Sequence, residues 1–493
     1  MSSSVAQAPQ PRPVAVTAAI AVLSLGVFMS SLDLFIVNLA FPSIGQDYPG
    51  TSLGALSWVL NAYTIVFAAV MVPAGRWADL IGRRRMFTLG LAAFTLGSAL
   101  CAVAPGVGPL VAARVIQAVG AGMMVPTSLS LLLAIVPAEG RAKAIGTWAA
   151  VGAMAAALGP VIGGLLVQAS WRWVFWVNVP VGVVALLGVR RVLPESRDPL
   201  AEHRPDVIGA TLVAVGVGAV ALGLVEGPDW GWASVRVIGL YAVAVAALAV
   251  VLLRSTRHPS PVLEMSMLRV RSFSGAFGAS VLYYAGFGAW LLNLVEFLTG
   301  PWHYSAIRAG LAIAPGPLFV LPFARIVAPR LAARIGGAGR VAILGCAVNA
   351  ASQLLWLTSL AGSPSYATRL LPVQVLGGIG VGLTIPSLLG AGTQSLGASS
   401  FGAGSGVLNM ARQLGAVIGV AGLVAILATK TADPLDTFRY GAALSVGFFA
   451  LAAVVSAVAI PRVRPAAVVL TDPSEPGPSD LSGRLSVGVG RAP

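Results

Sequence analysis

Asp33 interrupts the first long apolar stretch of the chain, 14–38, and the apolar run continues beyond it through Leu34–Ala40. A carboxylate at the centre of a bilayer costs at least ~2.5 kcal/mol. Such an acid faces a protein cavity, pairs with a cation or carries a proton. On a helix Met29, Asp33, Val37 and Ala40 fall close to one face, which predicts that Asp33 points to the central cavity. Arg114 lies well inside the fourth apolar stretch, and Glu296, late in the ninth, is the second embedded acid. Three chemistries stay open. Asp33 takes up and releases a proton, attracts a cationic substrate directly, or forms a permanent ion pair with Arg114. Glu296 either sits at the outer mouth of a pathway or at a solvated span end.

The elements that must position these groups are membrane spans. Of 493 residues, 57% are hydrophobic and 10% charged, which lies far outside the range of soluble domains. Fourteen apolar stretches, from 14–38 to 441–460, are each long enough to cross a core of ~30 Å. The net charge of +14 would suit nucleic acid if it formed one patch, but the basic residues punctuate the spans. With the N-terminus inside, the outer loops hold only Arg172, Arg236, Arg308, Arg369, Lys430 and Arg439. That asymmetry predicts an even number of spans with both ends in the cytoplasm, and no nucleic-acid partner. Residues 1–13 and 462–493 are rich in Pro, Ser, Gly and Arg and read as disordered cytoplasmic tails. Only Arg12 precedes the first stretch and no small-x-small site follows, so a cleaved leader is not expected.

Several chemistries are disfavoured by what is missing. Cys101 and Cys346 lie in separate spans, and His203, His258 and His303 in different loops, so neither a disulfide framework nor a metal site follows. The lysines are Lys143 and Lys430, and neither ends a G-x-x-x-x-G-K-[ST] phosphate loop. No H-E-x-x-H helix and no convincing Ser/Lys or paired-Asp constellation points to an enzyme. Energy must come from a gradient or from another subunit, and no cofactor is expected beyond a proton as coupling ion.

An internal repeat is readable. Gly120, Gly122 and Pro126 in the fourth stretch recur as Gly380, Gly382 and Pro386 in the twelfth, at a constant offset of 260. The segment 75–82 after the second stretch resembles 329–336 after the tenth, with Ala333 in place of Asp79. Both matches imply six spans, two inserted spans and six more. The expected organisation is a tail at 1–13, a six-helix bundle at 14–193, a linker with two extra spans at 194–270, a second bundle at 271–461 and a tail at 462–493. Repeated bundles around a midplane site are typical of transporters.

The segment Gly75-Arg76-Trp77-Ala78-Asp79-Leu80-Ile81-Gly82-Arg83-Arg84-Arg85 carries the signature G-x-x-x-D-x-x-G-R-[RK]. On this motif the chain resembles the major facilitator superfamily over roughly residues 14–461. The span count narrows the resemblance to its fourteen-span drug:proton antiporters. Leu32-Asp33 through Asn38, Ala40 and Pro42 matches that group's first-span motif, with Phe35 where threonine is usual. Arg114 and Gln117 match the fourth-span R-x-x-Q-G pattern, with Ala118 for glycine. Gly146, Gly159, Pro160, Gly163 and Gly164 fit the fifth-span antiporter pattern, with Ala155 at one expected glycine. Trp171 to Phe175 and Asn178 to Pro180 resemble the segment before the sixth span. Physically, Gly75 and Gly82 permit a tight turn. Asp79 beside Arg83 and Arg84 could latch the cytoplasmic side, and small residues in span five let helices approach closely.

The resemblance implies an all-α membrane protein of the major facilitator fold, with Arg114 near a central cavity. It implies proton-driven export of hydrophobic drugs, antibiotics or a self-made metabolite across a bacterial cytoplasmic membrane. The alternative is a facilitator or a proton-symport uptake system. Expected partners are a small hydrophobic substrate and the lipid bilayer, with the chain acting as a monomer. Few polar groups line the spans, and apolar walls with few polar groups suit loosely specified apolar ligands. Met29, Asn38, Gln117, Asn293, Gln374 and Arg412 are the candidate path residues. Arg412 is read as opening span thirteen near the inner gate. Glu226 to Trp232 reads as a structural outer loop.

Overall fold

In a bilayer every backbone N–H and C=O must be satisfied within the chain, so long apolar runs become helices. The computed structural model describes residues 13–136, 138–197, 203–394, 396, 401–429 and 432–460. Both expected tails, apart from Pro13, and Lys430 lie outside them. Among the described residues regular structure is helical throughout.

The helices are α1 (Pro13–Asp47), α2 (Leu53–Ile81), α3 (Arg83–Ala102), α4 (Val107–Ile135), α5 (Ala138–Ala169), α6 (Trp173–Trp176) and α7 (Asn178–Val192). Two further helices follow, α8 (Val207–Trp230) and α9 (Val235–Ser255), then a short α10 (Met265–Arg269). The remainder are α11 (Arg271–Thr299), α12 (Ala306–Ile313), α13 (Pro315–Pro322), α14 (Ala328–Ile335), α15 (Ala338–Ser359), α16 (Leu371–Thr393), α17 (Phe401–Leu427) and α18 (Pro434–Ala459). α12 to α14 form one crossing, Ala306–Ile335, joined through a π turn at Phe323–Val327. Among the described residues thirteen helical segments are long and apolar enough to span a membrane. The remaining expected span, 142–167, falls inside α5, where Leu158–Ala169 is the apolar stretch.

Within the first bundle α3 packs on α4, α1 on α5 and α2 on α4. In the second bundle α11 packs on α17 and α18, and α15 on α16 and α18. The bundles meet where α2 lies against α17 and where α5 lies against α12. α8 packs on both α2 and α17, so the inserted hairpin touches both bundles. Close approach depends on glycine. A Cβ on Gly159 would sit 2.7 Å from Phe35 Cβ of α1, and one on Gly164 would sit 2.7 Å from the Ala306 carbonyl oxygen of α12.

Three expectations shift. The signature segment is not a loop: α2 continues to Ile81, and Gly82 alone separates it from α3, at φ +117°. Gly75 lies inside the helix. Hydropathy marks where the bilayer ends, and a helix can run on into the headgroups. For the same reason Glu226-Gly-Pro-Asp-Trp230 belongs to α8 and not to a loop. Arg412 lies near the middle of α17 and does not open it.

Candidate functional site

Asp33 is fully buried, at 0% exposure, on the face of α1 that meets α4. Its Oδ2 accepts from Arg114 Nη1 at 2.6 Å, and its Oδ1 accepts from Gln117 Nε2 at 2.8 Å. Arg114 and Gln117 are one helical turn apart on α4, so both reach the same acid. Arg114 Nη1 also donates to Gln117 Oε1 at 2.6 Å, and its Nε donates to the Val59 carbonyl of α2 at 3.0 Å. Gln117 Nε2 donates in addition to Ser98 Oγ of α3 at 2.8 Å. The guanidinium lies 3.9 Å from the Tyr63 ring centroid, a cation–π contact that suits a desolvated arginine. Four helices thus converge on one charge pair, with donors aimed at both oxygens of Asp33.

Met29, one turn before Asp33, is buried with Tyr63, Phe67 and Met124. Asn38 Nδ2 donates back to the Leu34 carbonyl. The next residues of α1 join the charge pair to the seam between bundles. Phe35 lies against Gly159 and Ile36 against Gly163 of α5. On α5's other flank, Pro160 lies against Gly310 and Gly164 against Ala306 and Ile307 of α12. Gly146 falls within α5 as well. Two contacts separate Asp33 from the second bundle.

At the end of the molecule that carries Gly82, Asp79 pairs with Arg83 at 2.9 Å. The backbone N–H of Arg84 donates to Glu195 Oε1 at 3.0 Å, and that of Arg83 donates to the Ser196 carbonyl at 2.8 Å. Arg76 forms an ion pair with Glu264, just before α10. Sequence reading missed both glutamates. For Glu264 the available signal was a lone acid in the connecting segment 256–264, whereas Glu195 shares 193–206 with Asp198, Glu202 and Asp206 and does not stand out.

Glu296 sits at the opposite end, in a cavity of about 390 Å³. Phe41, Pro42, Gly45 and Gln46 of α1, Thr51, Leu53 and Leu56 around the start of α2, and Thr299 and Gly300 line the same cavity. Its Oε1 is buried without a hydrogen-bond partner. The remaining path candidates do not converge on Asp33. Asn293 Nδ2 donates to the Phe438 carbonyl of α18, and Gln374 Nε2 donates to the Ile313 carbonyl of α12. Arg412 donates to Asn409 Oδ1 at 3.0 Å and lies over the Tyr284 ring. Among the described residues no group of His, Cys, Asp and Glu could hold a metal ion.

A family model described as Major Facilitator Superfamily matches residues 23–420. The methylenomycin A resistance protein of Bacillus subtilis is 34% identical over 403 residues, 81% of this chain and 85% of that protein. The puromycin resistance protein pur8 of Streptomyces alboniger is 35% identical over 405 residues, 81% of this chain and 80% of that protein. An auto-inhibited peptide transporter of the POT family has a similar fold. Its TM-score is 0.66 at 16% identity, covering 94% of this chain and 99% of that one.

Proposed function

Because the chain belongs to the Major Facilitator Superfamily, we propose that it exports hydrophobic antibiotics, drugs or a self-made metabolite in exchange for protons. Its curated relatives are named for methylenomycin A resistance, puromycin resistance and actinorhodin transport, which supports the export direction. The observation that carries the coupling is the buried Asp33–Arg114–Gln117 network. The protein works as a monomer in the cytoplasmic membrane of a bacterium, with both termini and the Gly82 end facing the cytoplasm.

The geometry gives the cycle a physical form. With both of its oxygens accepting hydrogen bonds from α4, Asp33 holds α1 against α4. Protonation of Asp33 removes the charge that holds Arg114, and the network loosens. Phe35 and Ile36 lie on the next positions of α1, so any shift of α1 moves α5 and with it the contact to α12. The Glu296 end of the seam then opens or closes as one body against another, which is the alternating access expected of repeated bundles. The Asp79–Arg83 and Glu195 contacts at the Gly82 end latch the cytoplasmic side.

The test is proton release on addition of compound to energised inverted vesicles, wild type beside Asp33→Asn. Lipophilic cations, neutral antibiotics and acidic polyketides form the panel. At least one class should discharge the pH gradient through the wild type and not through the variant. Equal discharge by both proteins would remove Asp33 from the coupling step.

A further inference from the structure

The two bundles each place an arginine over a tyrosine ring inside the membrane, and among the described residues only one of these arginines has a counter-ion. In the first bundle Arg114 lies over Tyr63 and is paired with Asp33. In the second, the Cζ of Arg412 lies 4.7 Å from the Tyr284 ring centroid, and its hydrogen-bond partner is the neutral Asn409. The carboxylates of the second bundle among the described residues are engaged or distant. Glu264 pairs with Arg76, and Asp433 and Asp436 pair with Arg439. Glu296 is twelve residues along α11 from Tyr284, or ~18 Å at the helical rise. An uncompensated guanidinium at mid-span is costly, and such groups mark ligand or ion pathways.

The groups beside it lack acceptors as well. Tyr284, 7% exposed, has a hydroxyl with no partner, and Trp290, 6% exposed, has an indole N–H with no partner. Tyr284, Phe287 and Trp290 follow one face of α11, with successive ring centroids 6.1 and 5.6 Å apart. Guanidinium and indole N–H groups donate and never accept. An aromatic ladder with a cation at one end and unfilled donors along it matches a flat apolar ligand bearing an oxyanion. A cationic ligand would meet Arg412 with no acid to screen it.

We infer that the second bundle holds an organic-anion subsite, in which Arg412 and Tyr284 bind the carboxylate or phenolate of an aromatic substrate whose ring lies along Phe287 and Trp290. The ligand supplies in this bundle the negative charge that Asp33 supplies in the first. The inference rests on the exporter reading and names its substrate class. An anionic substrate leaving in exchange for a proton also keeps the two arginines in separate roles, Arg114 for coupling and Arg412 for cargo.

Equilibrium dialysis against the full chain in nanodiscs tests this without any gradient. Naphthalene-2-carboxylate is the probe, and 2-naphthylmethylammonium is a cation of similar shape. The wild type should bind the carboxylate at least tenfold more tightly than the ammonium. Arg412→Gln should abolish that preference, Arg412→Lys should keep part of it, and Tyr284→Phe should weaken carboxylate binding about threefold. Dialysis reads binding with no gradient and proton release reads coupling, so a failure of proton coupling and a failure of the subsite give different results. The subsite is overturned if the ammonium binds as well as the carboxylate, or if no carboxylate binds at millimolar concentration. Unchanged carboxylate binding in Arg412→Gln also overturns it. If Arg412→Gln does not fold, unchanged binding in both Arg412→Lys and Tyr284→Phe overturns it.

Discussion

Arg114 donates to Asp33, Gln117 and the Val59 carbonyl at once, so its position depends on the carboxylate opposite. Removing one member of a buried pair strands the other charge, at a cost of about 3–5 kcal/mol, whereas removing both is milder. Arg114→Gln alone should therefore unfold at a lower temperature than the double variant Asp33→Asn/Arg114→Gln. A thermal-unfolding double-mutant cycle checks this, and additive losses would show that the two groups do not interact. Glu296 is the opposite case. One oxygen is buried without a partner, and such burial is unfavourable by itself. Glu296→Gln should unfold at the same or a higher temperature than wild type. A clear drop would reveal a stabilising partner for the acid. Asp33 was legible in the sequence because a carboxylate stands out in an apolar run. The partners that fix Gly82 were not. Glu195 meets Arg84 across 111 residues and Glu264 meets Arg76 across 188, and no local pattern encodes contacts of that length.

At the scale of helices, the small-residue face of α5 separates two kinds of glycine. A Cβ on Gly164 would meet backbone atoms of α12, the Ala306 oxygen at 2.7 Å and Ile307 Cα at 2.8 Å, and neither can rotate away. A Cβ on Gly152 would meet a methyl of Val27 at 3.2 Å, which a side chain relieves by a small shift. Gly164→Leu should hold α5 and α12 apart and lower gradient-driven export at least tenfold in protein that still folds. Gly152→Ala should keep most of the activity. Transport assays in vesicles with matched protein content decide it, and equal activity in both variants would mean that this seam does not need to close. Spacing made the close-packed face of α5 visible in advance. Which helix it would meet was not, because α5 and α12 are separated by the whole inserted hairpin. Helix ends were misjudged at α2 and α8 for one physical reason. Apolar runs report the bilayer, while backbone hydrogen bonding continues until something such as Gly82 stops it.

Across the whole molecule, α8 is the element that touches both bundles, and what anchors it decides how freely they move. Ala221 and Val225 share a core with Leu60 of α2 and Val424 of α17, and Ala210 shares one with Ala68 and Met410. α9 packs on α8 through residues such as Ala247, while Val235, Val245 and Leu253 are exposed, as a lipid-facing helix requires. The hairpin is closed at its base by Asp206, which caps α8 through the Gly209 N–H at 2.8 Å and pairs with Arg254 at 2.7 Å. Burial pushes the Asp206 carboxyl up, but the hydrogen bonds from Arg254 and from the Gly209 N–H outweigh it and leave the group below its ordinary value. A carboxyl depressed in the folded state stabilises above its unfolded value, ~3.9, and loses that contribution as pH falls through the folded value. At pH 7 Asp206→Asn should therefore be less stable than wild type by about 1.5–3 kcal/mol, the range for a hydrogen bond to a charged group. The gap should persist to pH 5 and narrow below pH ~4. Thermal unfolding of both proteins in the same nanodiscs across that range measures it. A gap that does not change with pH would mean that Asp206 holds the hairpin by its shape as a cap and not by its charge. If the gap does close in acid, the charge of the Asp206–Arg254 pair holds the base of the hairpin that touches both bundles.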